Sequence, residues 1–128
     1  MTDKDIIKKV LIVEDEQVLL KTIEFTVKNR GYETVTAIDG ETAIKLIKDE
    51  NPDLVLLDVM IPRKNGIEVL REMREDNLFK ETPVILLTNL SDEETISQGV
   101  TLGAKGYFVK ADLTLDEIAD KVDEILKA

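Results

Sequence analysis

The sequence contains no cysteine, no histidine and no tryptophan. Without cysteine there is no disulfide, no thiolate nucleophile and no thiolate metal ligand, a composition compatible with the cytoplasm. Without histidine there is no imidazole base, no imidazole metal ligand and no phosphohistidine on this chain. No apolar run approaches the ~20 residues that span a bilayer, so membrane insertion is not expected. The first ten residues, MTDKDIIKKV, mix acids and bases and lack the apolar segment of a signal peptide. Basic residues are also in deficit: 17 Lys and Arg stand against 27 Asp and Glu, a net charge of −10. They are scattered among the acids, which argues against direct nucleic-acid contact. Chemistry is left to carboxylates, hydroxyls, lysines and the backbone.

What remains is ordinary for a folded domain. Apolar residues make up 43% and charged residues 34% of 128 positions, enough for one domain with a sizeable core. No linker-like stretch, low-complexity segment or repeat divides the chain, so residues 1–128 are expected to form a single domain, with no effector domain.

Two periodicities alternate along it. Short apolar runs at 10–13, 33–37, 54–57, 83–87 and 107–109 read as strands, the fourth with Pro83 at its first position. Between them lie helical patterns. Residues 17–30 carry Leu19, Ile23 and Val27 on one face and stop at Gly31. Residues 40–49 carry Ala43, Ile44 and Ile47 and stop at Asn51-Pro52. After a loop with Pro62 and Gly66, a third helix turns Ile67, Leu70 and Met73 inward. Ser91-Asp92-Glu93-Glu94 reads as a capping box opening a fourth helix that closes near Gly103. Its apolar stripe is thin, Ile96 and Val100, and Gly99 inside it costs ~1 kcal/mol against alanine. This helix is expected to be the most mobile. Thr114-Leu115-Asp116-Glu117 opens the last helix, with Leu115, Ile118, Val122 and Ile125 buried. Five βα units with continuous apolar strands predict a parallel sheet covered on both faces. The expected fold is α/β: a doubly wound, flavodoxin-like three-layer (βα)5 sandwich with strand order 2-1-3-4-5.

In such a sheet ligands bind beyond the carboxyl ends of the strands. The first strand delivers Glu14-Asp15 there, the third Asp58, the fourth Thr88 and the fifth Lys110. Each alone reads as a cap, a turn residue or a solvated charge. Together they place three carboxylates, a hydroxyl and an ammonium on one edge. Three acids repel unless cations neutralise them, and Lys110 with a hard divalent ion such as Mg²⁺ would do so. A carboxylate so placed is a good phosphoryl acceptor, with Thr88 able to donate to a third oxygen of the group. A flavodoxin-like nucleotide site would need a small-residue loop where Glu14-Asp15-Glu16 stands. A hydrolase with an aspartyl nucleophile would need an acid at Met60.

The stretches VLIVEDE, DLVLLDVMIPRKNGIEVL, PVILLTNLSDEE and GAKGYFVKADLT are the ones that match a known family. Over residues 8–127 the chain resembles the receiver domains of two-component response regulators, of the stand-alone chemotaxis-regulator kind. The element formed by Asp58, Met60, Pro62 and Gly66 is its most specific part. The resemblance implies that Asp58 is the phosphorylation site, that Asp15 ligates Mg²⁺ directly and Glu14 through water, and that the Met60 backbone carbonyl is a further ligand. It implies that Thr88 follows the phosphoryl group, Lys110 pairs with it, and Tyr107 swings inward as Thr88 moves. The partners it implies are a sensor histidine kinase or phosphotransfer protein and a downstream protein target. The output surface would be helix four, strand five and helix five, acidic at Asp116, Asp120, Asp123 and Glu124. Such a domain is a signalling phosphoacceptor rather than an enzyme with an external substrate. Asn89 and Ala111 stand where the family usually has a small residue and a proline. The Lys110–Ala111 peptide is expected to be trans, with the Ala111 N–H closing the loop. Met60 and Leu90 are expected to shield a phosphoryl group on Asp58 from water. A module of the same family that works without phosphorylation is the other reading.

Overall fold

A computed structural model of the chain describes residues 6–89 and 93–127. Five strands form one parallel sheet: β1 (Lys9–Val13), β2 (Glu33–Ala37), β3 (Leu54–Asp58), β4 (Val84–Thr88) and β5 (Gly106–Val109). Their order is β2-β1-β3-β4-β5, as expected. The helices between them are α1 (Gln17–Asn29), α2 (Gly40–Glu50), α3 (Gly66–Glu75), α4 (Glu93–Thr101) and α5 (Leu115–Leu126).

Successive strand residues point to opposite faces, so each apolar strand feeds two cores. Val10, Ile12, Leu54, Leu56, Ile85 and Leu87 pack with Leu20, Ile23 and Val27 of α1 and with Ile118 and Val122 of α5. Leu11, Val13, Val55, Leu57, Val84 and Leu86 face the other way, toward Ala43 and Ile47 of α2 and Ile67, Leu70 and Met73 of α3. A fully buried Leu or Ile contributes roughly 1.5–3 kcal/mol through lost apolar exposure. The two cores together therefore carry most of the stability.

The helix boundaries follow local chemistry. Gly31 (φ 96°) lies where the stop of α1 is expected. Asp39 caps α2 by accepting from the Thr42 N–H. Asn65 and Glu68 form a capping box on α3, legible as Asn-x-x-Glu but not anticipated. Thr114 caps α5 by accepting from the Glu117 N–H. The Glu117 carboxylate meets the Thr114 hydroxyl, not the Thr114 backbone N–H of a full capping box.

Three expectations about buried faces need correction. In α1 Leu20 is buried with Ile23 and Val27, and Leu19 is only half-buried beside it. In α5 Leu115 and Ile125 are half-buried at the margin, and Ala119 takes a central place. In α4 Val100 is 64% exposed, and the buried residue is Gly99. A Cβ at Gly99 would overlap Leu86 Cδ1, so this glycine permits close approach of helix to sheet. The penalty assigned to it from propensity alone omits that contact. Ser91 and Asp92, the start of the expected capping box, and Leu90 lie outside the described residues.

Candidate functional site

The order of the sheet reverses at β1, and the crevice between the exits of β1 and β3 is the place where such sheets bind ligands. Val13 pairs in register with Leu57, so Glu14 leaves the sheet beside Asp58. Asp58 is level with Leu87, and Thr88 with Val109, which puts Lys110 two residues further out than Asp58. The lysine reaches back across β4: its Nζ lies 2.8 Å from Asp58 Oδ2 and 2.5 Å from Glu14 Oε1. Its backbone N–H donates to the Thr88 carbonyl at 2.7 Å, which fixes the start of the loop. The Lys110–Ala111 peptide is trans, as expected. The loop is closed by the Asp112 N–H on the Val109 carbonyl rather than by Ala111.

Glu14, Asp58 and Thr88 are buried, whereas Asp15 is exposed. Asp58 Oδ1 accepts the Met60 N–H at 3.1 Å, and Glu14 Oε2 accepts the Glu16 N–H at 3.0 Å. Glu14 Oε1 has Lys110 near it but off the hydrogen-bonding direction, so it has no directed donor. The loop after β3 folds tightly over this exit. The Gly66 N–H donates to the Val59 carbonyl, and a Cβ at Gly66 would overlap the Asp58 carbonyl oxygen. Gly66 thus lets the loop turn back and start α3 directly behind the acid.

The charges are out of balance. Burial pushes the Asp58 carboxyl up to about 6, the Lys110 hydrogen bond opposes this, and nearby Glu14 adds to it. Burial would lower the Lys110 ammonium, but its hydrogen bond to Asp58 and the close negative charge of Glu14 outweigh that and hold it above its ordinary value. One lysine faces three acids. Glu14, Asp15 and Asp58 each offer a carboxylate oxygen, and these atoms lie within 4.8 Å of one another. Hard divalent cations take oxygen ligands at such spacing, so the donor set fits Mg²⁺.

Sequence reasoning places Glu14, Asp15, Asp58, Thr88 and Lys110 at this edge, and the structure brings the three acids and Lys110 together. It does not foresee that Glu14 is the buried partner of Lys110. Tyr107 is 47% exposed and faces outward at the sheet edge. Asn89 is exposed. The Met60 side chain is 64% exposed, and only its backbone engages Asp58. Two of the four acids read along the last helix are already paired. Asp123 turns toward α1, bound by Arg30, Tyr32 and Lys127, and Asp120 pairs with Arg30.

Residues 10–123 match the response regulator receiver domain. The chain belongs to that family. Among curated relatives, the alkaline phosphatase synthesis transcriptional regulatory protein PhoP of Bacillus subtilis (strain 168) is 37% identical over 120 residues, 94% of this chain and 49% of that protein. This receiver chain therefore spans about half the length of that relative. The Francisella response regulator 1452 receiver domain superposes with a TM-score of 0.86 at 32% identity, covering 94% of this chain and 97% of that one. The phosphorylated cyanobacterial phytochrome response regulator RcpA gives 0.84 at 30% identity, with 96% of each chain covered. No helix among the described residues is long and apolar enough to cross a membrane.

Proposed function

We propose that this receiver domain takes a phosphoryl group onto Asp58 from a phosphohistidine of a sensor kinase or phosphotransfer protein. The P–N bond of the donor breaks, a P–O bond to Asp58 forms, and the released imidazole takes up a proton. The observation that carries this reading is the buried Asp58 carboxylate held between Lys110 and the Met60 N–H within an unbalanced acidic cluster.

Asp58 sits where β3 leaves the core, so its carboxylate is fixed in position before the donor arrives. Lys110, tied to the carbonyl of Thr88, neutralises charge that gathers on the transferred oxygens. The Thr88 hydroxyl donates to another of those oxygens. Asp15, Asp58 and the Met60 carbonyl would hold Mg²⁺, with Glu14 supporting it. When bound, the ion supplies positive charge to the acids and to the transferring group. Glu14 loses nothing by that arrangement, since its Oε1 lacks a directed donor.

Output then runs through Thr88 and Tyr107 to the surface of α4, β5 and α5, where a downstream protein binds. Incubation with acetyl phosphate and Mg²⁺, followed by intact-mass measurement, tests the reading. One phosphoryl group is expected on the wild type and none on Asp58→Asn or in excess EDTA. Labelling of Asp58→Asn would overturn the assignment. An unlabelled wild type would favour the module that works without phosphorylation.

A further inference from the structure

The chain has five asparagines, at positions 29, 51, 65, 77 and 89. An asparagine side chain closes into a cyclic imide when the backbone nitrogen of the next residue attacks it. Arg30, Leu78 and Leu90 crowd that approach with their side chains, and Pro52 has no N–H to lose. Only Asn65 is followed by glycine, which leaves the attacking nitrogen unshielded. Asn65 is exposed, and it stands between the loop that follows Asp58 and the first turn of α3.

The fold keeps the two reacting groups apart. Gly66 is buried, and its N–H donates to the Val59 carbonyl at 2.9 Å, out of reach of a base. Asn65 Oδ1 accepts the Glu68 N–H at 2.9 Å, and the Asn65 N–H donates to Glu68 Oε1 at 3.2 Å. The Asn65 carbonyl accepts the Val69 N–H at 3.1 Å, inside that same turn. The preceding loop is tied down as well. The Pro62 carbonyl accepts the Gly40 N–H at 3.1 Å and the Lys64 N–H at 2.9 Å. Ring closure must free the Gly66 nitrogen and the Asn65 side chain and turn the peptide plane between them, which opens the start of α3.

We infer that Asn65 is a self-modification site that the folded loop keeps shut, and that deamidation there proceeds only through local opening. In the opened chain the Gly66 nitrogen gives its proton to hydroxide or another base and attacks Asn65 Cγ. A C–N bond forms, the Cγ–Nδ2 bond breaks, and ammonia leaves with a proton. Water then opens the imide, and nothing is oxidised or reduced. Opening at Cγ yields aspartate, which still caps α3 because a carboxylate suits a helix N-terminus. Opening at the main-chain carbonyl yields isoaspartate, which lengthens the backbone by one carbon. The chain has no slack there, since even a Cβ on Gly66 would overlap the Asp58 carbonyl oxygen. This chemistry is independent of what Asp58 accepts.

The test is to age the full chain at one mildly alkaline pH, native and in guanidinium chloride, and to map its peptides by mass. In denaturant the peptide holding Asn65 is expected to convert first. In the native chain its conversion should be at least about tenfold slower, because a slow reaction follows the population of the open form. Equal rates in the two states would overturn the proposal, as would earlier conversion at Asn29, Asn77 or Asn89 in denaturant. The refolded isoaspartate form is then compared with Asn65→Asp, which keeps the cap. It is expected to unfold at lower denaturant or not to refold, and equal midpoints would overturn the effect on the loop.

Discussion

Two charged clusters stand at opposite edges of the same sheet. At the carboxyl edge, Glu14, Asp15 and Asp58 face a single Lys110, and two of the acids are buried. At the amino edge, Arg30 and Lys127 meet Asp120 and Asp123, two charges of each sign, and Tyr32 donates to Asp123 at 2.6 Å. The second cluster is balanced and its Asp120 is largely exposed, so it fastens α1, the start of β2 and α5 without strain. The first is unbalanced and desolvated, which makes it costly to keep and ready to take a cation. Charge balance against burial separates the fastening from the site.

Removing Lys110 should produce the largest effect. Lys110→Met leaves Glu14 and Asp58 buried without a base, and breaking a buried pair in this way costs about 3–5 kcal/mol. Urea unfolding at neutral pH without divalent ions measures it. A loss below 1 kcal/mol would mean that the cluster is already solvated and the contrast false.

Asp58→Asn should act in the opposite direction, stabilising the metal-free fold by on the order of 1–2 kcal/mol. The folded carboxyl is raised to about 6, above its unfolded value near ~3.9. The folded state therefore binds the proton more tightly, and ionised Asp58 costs stability as pH rises through that window. The advantage of Asp58→Asn is expected above about pH 6 and to vanish below about pH 4. Mg²⁺ should stabilise the wild type, by about 2.7 kcal/mol at a hundredfold excess over its dissociation constant, and the variant much less.

Asp123 should show the reverse pH sign with a smaller amplitude. Burial would raise its carboxyl, but bonds from Tyr32, Arg30 and Lys127 outweigh this and hold it below the usual carboxylate range. Its stabilising effect is present above the unfolded value near ~3.9 and is lost as pH falls through the lower folded value. Asp123→Asn should lose about 1 kcal/mol at neutral pH, with the difference from wild type closing in acid. Thermal unfolding across pH 2–7 (approximately the carboxylate range) reads both signs in one series. The smallest effect belongs to Asp120→Asn. Its side chain is 71% exposed, so the Arg30 pair is worth about 0–0.5 kcal/mol and less in high salt. A larger loss would show that the clamp acts as a unit.

The order of elements and the edge that carries the acids were legible because they depend on local pattern. A strand buried on both faces must be apolar throughout, so the first charged residue after it marks where the strand leaves the core. That is why Glu14, Asp58 and Lys110 could be placed from VLIV, LVLL and YFV. The Gly31 stop of α1 and the Thr114 cap of α5 were legible for the same reason, and the Asn65 box was present in the sequence but passed over.

Other features depend on which residues meet across long stretches of chain. Arg30 and Asp123 are 93 residues apart, and nothing near either announces the other. Arg74 binds carbonyls, which carry no sequence signature at all. Val100 and Gly99 trade places between exposure and burial because the rotation of α4 is set by how closely it can approach Leu86. The sequence determined the alternation of strands and helices and the three acids at one edge, since hydrophobic period and strand ends are properties of neighbouring residues. Tertiary structure decided that Glu14 rather than Asp15 is buried against Lys110, that Asp123 fastens α5, and that Gly99 rather than Val100 is the buried residue of α4. Those outcomes depend on distances between segments, which only the packed chain sets.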